Sequence, residues 1–185
     1  MKKIALLGDS IRQIGYGSKV VELLGEDYDV WQPDDNCRFA VYTLRGCFDW
    51  RENLEGCDVI HWNNGLWDIC ELFDDGPFTS PEAYVETMKR IARILLKYSK
   101  KVIFATITPV TEANKYNRNE VIKQYNELIV PELEKMGVII NDLHKTVWAD
   151  LDNLMSEDTL HLSEKGIDVC AKQVSDIIRK VSEAN

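Results

Sequence analysis

What this sequence lacks narrows it first. No apolar run approaches the roughly 20 residues that cross a bilayer, so no membrane-spanning segment and no membrane partner are expected. Lys and Arg number 22 against 31 Asp and Glu, a net charge of −9. Such a chain has no basic footprint for a nucleic-acid backbone. The five cysteines, Cys37, Cys47, Cys57, Cys70 and Cys170, are odd in number and form no C-x-x-C pair. That argues against a disulfide framework and against a zinc site, and reads as reduced thiols in a cytoplasmic protein. Repeats, low-complexity tracts and linkers are missing too, so 1–185 reads as a single domain. The start Met1-Lys2-Lys3 looks like a signal peptide for two residues only. The short apolar stretch behind it meets Gly8-Asp9-Ser10 without a small-residue cleavage site, and is better read as a strand.

What is present is a regular alternation. At 45% hydrophobic and 29% charged the chain is ordinary globular material. Short β-branched or aromatic runs at Lys3–Leu7, Tyr28–Trp31, Val59–Trp62, Val102–Ile107 and Val138–Ile140 have the character of buried parallel strands. Amphipathic stretches separate them. The spacing predicts helices over Ile14–Leu24, after Ser80, over Asn119–Met136 with a kink at Pro131, and after Ser163, with a weaker one over Thr43–Asn53. Ser80 is a natural N-cap, with Pro81 at the first helical position. The helix behind it sets Tyr84, Met88, Ile91 and Leu95 on one face. Such βα alternation implies an α/β fold: a flavodoxin-like, three-layer α/β/α sandwich around a five-stranded parallel sheet.

In a sheet of this kind the ligand site lies beyond the carboxyl ends of the strands. The loops leaving those ends hold four groups: Gly8-Asp9-Ser10, Asn36-Cys37-Arg38-Phe39, Asn63-Asn64-Gly65-Leu66-Trp67-Asp68, and Asp158 with His161. Ser10 stands where a strand hands over to a helix, so unpaired N–H groups gather beside its hydroxyl. Acyl transfer needs a nucleophile, a base, a group that orients the base, and donors for an oxyanion. This set can supply all four.

The sequence here resembles the SGNH (GDSL-type) hydrolases. The resemblance rests on Gly8-Asp9-Ser10 near one end and the D-x-x-H pair Asp158/His161 near the other, and it spans nearly the whole chain. The Gly65-Leu66-Trp67-Asp68 segment, in place of the family's Gly-x-Asn-Asp, looks like a bacterial subgroup. What the resemblance implies is a serine esterase that needs no cofactor and no metal, with Ser10 as nucleophile, His161 as base and Asp158 as its orienter. The backbone N–H of Ser10 would be one oxyanion donor. Trp67 stands where the family has an asparagine donor, so Asn63, or failing it Asn64, is expected to take that role. Arg38 falls at the family's second-loop glycine and would offer its backbone N–H. The implied substrate is a small-molecule or glycan ester, with an O-acetyl sugar the preferred guess.

Other residues at this edge have two readings. Trp67 and Trp148 either touch substrate or pack their loops, as do Leu66 and Phe73. Arg38 and Arg12 could hold a substrate carboxylate or phosphate, Arg12 more readily pairing at the surface. His61 reads as a core histidine within a strand, and His144 as a residue that could line the site. Asp9 and Asp68 are expected to bond nearby loop N–H groups. The long loop Ile69–Ser80 is the candidate lid. Two rival functions remain: an SGNH-like binding or signalling module without activity, and a flavodoxin-like electron carrier. The acid Asp9, standing where a flavin phosphate would sit, argues against the carrier.

Overall fold

The computed structural model describes residues 1–183. Five parallel strands form one sheet in the order β2-β1-β3-β4-β5. They are β1 (Lys2–Leu7), β2 (Tyr28–Trp31), β3 (Cys57–Trp62), β4 (Ser99–Ala105) and β5 (Ile139–Asn141). The register sets Leu7 of β1 beside Trp62 of β3, and Trp62 beside Phe104 of β4, so the three central strands end level with one another. Helices cover both faces. On one, α1 (Gly17–Leu24) packs on α8 (Glu164–Glu183). On the other, α4 (Pro81–Tyr98) packs between α2 (Ala40–Asp49) and α5 (Asn119–Lys135). The described residues also include the short helices α3 (Arg51–Leu54), α6 (Leu143–Trp148) and α7 (Leu151–Leu154).

The central strands are largely apolar toward their carboxyl ends, where both their faces are covered. Ile4–Leu7, Val59, Ile60, Trp62 and Val102–Ala105 are all buried. The outer strands β2 and β5 are shorter and only half buried. Ser80 caps α4 by accepting the Ala83 N–H at 3.3 Å, with Pro81 at the first position. The expected face of Tyr84, Met88, Ile91 and Leu95 is fully buried, each side chain contributing about 1.5–3 kcal/mol. Ser163 opens α8 in the same way, its hydroxyl accepting the Gly166 N–H. Gly166 lets α8 approach α7 closely, since a Cβ there would lie 2.1 Å from the Leu154 carbonyl oxygen.

Boundaries moved in several places. The first helical segment begins at Ile11, not Ile14, because Asp9 starts it: the Asp9 carbonyl accepts from Arg12 and Gln13, and its carboxylate from Ile11. A widened turn over Ile11–Tyr16, bent at Gly15, precedes α1. The helix expected over Thr43–Asn53 starts at Ala40 and is divided at Trp50 into α2 and α3. Helix α5 runs from Asn119 to Lys135 with Pro131 inside it. Strand β4 begins at Ser99 and stops at Ala105, two residues short of Ile107. The described residues contain no helix long and apolar enough to cross a membrane.

Candidate active site

Ser10 leaves the tip of β1 with its backbone already in the right-handed helical region, at φ −61° and ψ −25°. Its N–H belongs to the first turn, where helical N–H groups have no acceptor within the helix. The Ser10 hydroxyl lies 2.8 Å from His161 Nε2, although 151 positions separate them in sequence. His161 Nδ1 lies 2.6 Å from Asp158 Oδ2. The three side chains form one hydrogen-bonded line at the carboxyl edge of the sheet.

The segment that carries Asp158 and His161 is a tight hairpin. Met155 bridges to Leu162, and the Ser156 N–H donates to the His161 carbonyl at 2.8 Å. Thr159 at its turn has φ +73°. The loop after β4 holds this turn: Thr111 N–H donates to the Thr159 carbonyl, and the Asn114 amide to the Thr159 hydroxyl. Inside the hairpin the Asp158 carboxylate is saturated. Its Oδ1 accepts from the backbone N–H groups of Leu160 and His161 and from the Ser156 hydroxyl, at 2.7–2.9 Å. Partial burial pushes this carboxyl up, but the His161 and Leu160 N–H groups, with Ser156 and the imidazole, outweigh it and hold it well below the usual carboxylate range. An ionised Asp158 requires the proton of His161 on Nδ1. Nε2 is then an acceptor facing the Ser10 hydroxyl. The sequence alone marks Ser156 only by its place two residues before an aspartate in a turn.

The groups around the hydroxyl are more committed than their sequence suggests. Arg38 has φ +43°, the left-handed region that glycine enters freely. Its N–H donates to the Asn36 side chain at 2.8 Å. Asn63 donates its amide to Asp9 Oδ1 at 2.8 Å, and its carbonyl accepts from the Tyr16 hydroxyl at 2.8 Å. This leaves one amide hydrogen of Asn63 unassigned. The Asn63 carboxamide fills the space beside Gly8, where an added Cβ would lie 2.0 Å from its oxygen. Asn64 is fully engaged elsewhere, accepting from Thr43 and Trp62 and donating to the Arg38 carbonyl. Burial pushes the Asp9 carboxyl up to about 6, against the Ile11 N–H, the Asn63 amide and the charge of Arg12.

Arg12 is no surface residue. It is 1% exposed, and its guanidinium donates to the carbonyls of Gly8, Pro33 and Asp35, stapling the loop after β2 to the corner that holds Ser10. It is thereby unavailable to a substrate anion. His61 is buried in β3 with Nε2 against the Asn141 amide, and burial lowers it to about 3, so it stays neutral. His144 stacks on Trp148. Neither contacts Ser10.

Among the candidate lining residues, Leu66 is buried, with its carbonyl tied to the Asn117 amide. Trp67 is 36% exposed and meets Phe39 edge-on, while Phe39 stacks on Phe78. Phe73 sits exposed at the tip of its loop. Trp148 borders a groove of about 300 Å³ with Thr111, Asn114 and Arg118, beside the loop that supports Thr159. A more apolar groove of about 340 Å³ runs along α5 past Asn126, Val130 and Pro131, and includes none of Ser10, Asp158 and His161. The loop Ile69–Ser80 is tied down at its two ends. Buried Asp68 accepts from Thr79 and from the Ala40 N–H of α2, Arg118 pairs with Glu71, and Tyr125 donates to the Thr79 carbonyl. A lid hinged over the whole loop would have to break these ties.

The fold and the hydrogen-bonded line place the chain among three-layer α/β/α proteins with a serine at the first strand's tip. Solved structures with the same architecture include esterases and lipases. AlAXEase, an acetyl xylan esterase, superposes with a TM-score of 0.79 at 19% identity, over 95% of this chain and 99% of that one. A lipase/acylhydrolase from Enterococcus faecalis gives 0.77 at 20% identity, over 97% and 96%. A member of the lipolytic protein G-D-S-L family from Veillonella parvula gives 0.78 at 15% identity, over 97% and 100%. At these identities the likeness establishes the shared fold. No protein-family model and no curated protein matches the chain by sequence.

Proposed function

We propose that the protein is a serine esterase that cleaves a carboxylic ester through an acyl-enzyme. The observation that carries this reading is the continuous line from Ser10 Oγ through His161 to Asp158, with contacts of 2.8 and 2.6 Å. His161 Nε2 takes the Ser10 proton as Oγ attacks the acyl carbon. The carbonyl π-electrons move to oxygen, and the oxyanion is met by the Ser10 N–H and the second amide hydrogen of Asn63. Arg38 joins them once its N–H exchanges Asn36 for the oxyanion. One such donor is worth about 3–4 kcal/mol in the transition state. The imidazolium then protonates the leaving alcohol, and water enters by the reverse sequence to release the acid.

A small acyl group on a polar alcohol, such as an acetyl group on a sugar hydroxyl, is the substrate class put forward. The acetyl xylan esterase among the structural neighbours supports it. So does the semi-exposed Trp67 at the site's edge, which offers a flat apolar face to a sugar ring. A silent binding module is the second reading, favoured by the Arg38 N–H being already occupied. Hydrolysis of an aryl acetate, with covalent labelling by a fluorophosphonate, separates the two. Wild type is expected to turn over and be labelled. Ser10→Ala should do neither while keeping its thermal midpoint. Equal turnover by wild type and Ser10→Ala would overturn the assignment.

A further inference from the structure

We infer that Tyr16 is a positioning residue: its buried hydroxyl fixes which way the Asn63 carboxamide faces, and so keeps an Asn63 N–H available to the oxyanion. The inference rests on the esterase reading above, because it assigns the residue that orients one of its donors.

An asparagine side chain can sit either way round in the same space, and its neighbours decide. Here the neighbours are Tyr16 on one side and Asp9 on the other. Tyr16 is fully buried, and burial holds its phenol in the protonated form. A protonated phenol with an oxygen 2.8 Å away donates to it, so that atom is the Asn63 carbonyl. The amide nitrogen then faces Asp9 Oδ1 at 2.8 Å, where an ionised carboxylate can only accept. Turning the amide over would leave the Tyr16 proton without an acceptor. It would also set two oxygens against each other at Asp9. Two independent constraints therefore hold one orientation. The Tyr16 ring is itself braced edge-on against His61, with centroids 5.7 Å apart. The first helical segment and the end of β3 are thus locked together under Ser10.

The two constraints respond differently to acid. Asp9 faces Arg12 from its own segment, His161 from the hairpin, Tyr16 and Asn63, with Cys37 and Asp68 close enough to feel its charge. Burial raises its carboxyl to about 6, between the two ends of the pH range tested below. Once protonated, Asp9 can donate to a turned-over carbonyl and no longer enforces the orientation. Tyr16 still does.

The test is Tyr16→Phe, which keeps the ring, alone and combined with Asn63→Ala. Wild type, both single variants and the double variant are compared on an aryl acetate across the acid and alkaline limbs. Loss of one orienting hydrogen bond is expected to lower kcat about threefold near pH 8 and about tenfold near pH 5, with KM unchanged. In the Asn63→Ala background, Tyr16→Phe is expected to have no further effect on kcat. An effect that is flat with pH, or equal in both backgrounds, would reduce Tyr16 to a packing residue and overturn the proposal. A readout free of substrate accompanies this: the side-chain amide signals of Asn63 in nitrogen-15 NMR, assigned by their loss in Asn63→Ala. One sharp pair across the pH range is expected in wild type, and two exchanging pairs below pH 6 in Tyr16→Phe. Sharp signals in both proteins would sink the orienting role. Failure of Ser10→Ala to lose activity would instead sink the esterase reading, whatever the amide signals show.

Discussion

Asp158→Asn isolates the tautomer of His161 from everything else at the site. Asp158 Oδ1 faces three donors, from Leu160, His161 and Ser156. An amide placed there must turn its oxygen to them, because its NH2 would face hydrogens on every side. The NH2 is then left against His161 Nδ1, 2.6 Å away in the wild type. To accept it, Nδ1 must give up its proton, and the proton moves to Nε2. Nε2–H cannot take a proton from Ser10. A wrong tautomer costs roughly 10⁴-fold in kcat, about 5 kcal/mol of transition-state stabilisation. Asp158→Ala is expected to be milder. The Asp158 side chain is 51% exposed, so water can enter and either tautomer remains accessible. The hairpin should survive the Asn change, since the oxygen facing Leu160 and His161 is retained. The assay is kcat on an aryl acetate, with the thermal midpoint as control. Turnover of Asp158→Asn within tenfold of wild type, or above that of Asp158→Ala, would refute the reasoning.

The remaining predictions concern groups that hold the site together. Arg12→Met keeps the buried stem but strands the carbonyls of Gly8, Pro33 and Asp35. It should cost roughly 2–4 kcal/mol in urea unfolding, and a loss under 1 kcal/mol would contradict the staple. Burial raises buried Asp68 from 3.8 to about 6. A carboxyl raised on folding favours the neutral native state, so its contribution is full below 3.8 and is lost as pH rises through about 6, about 3 kcal/mol in all. Asp68→Asn should flatten that part of the stability profile, leaving the similar slope due to Asp9, and an unchanged slope would argue against burial as the cause. Asp158 has the opposite sign: its carboxyl is depressed on folding, so its contribution holds at neutral pH and disappears only in strong acid, a loss that Asp158→Asn should abolish in acid unfolding.

Much of this was legible in the chain because the signals were local. Strand character at Lys3–Leu7 or Val59–Trp62 follows from covering both faces with helices, which demands unbroken apolar runs. Ser80-Pro81 and Ser163 announced their helices because a cap acts on the next turn only. The carboxyl-edge loops could be named because a parallel sheet aligns its strand ends. What escaped the local signals were several contacts set by distant partners. Arg12 looked like a surface cation, and only the loop after β2, folded over it, supplies the carbonyls that make burial tolerable. Loop Ile69–Ser80 looked free by its length, yet Arg118 and Tyr125 of a later segment tie its two ends. The commitment of Asn63 to Tyr16 and Asp9 was invisible for the same reason.

Composition and periodicity alone determined that this chain would build a three-layer α/β sheet and which of its loops would crowd one edge, because burial patterns are written along the strand and helix themselves. Only the tertiary structure decided that Ser10, His161 and Asp158 fall into line, that Tyr16 reaches Asn63, and which donors around the serine are already taken. The decisive ones, Ser10 to His161 and Tyr16 to Asn63, are hydrogen bonds between segments far apart in the chain. Their angles and distances depend on how helices and loops settle on the sheet, and no local pattern encodes that.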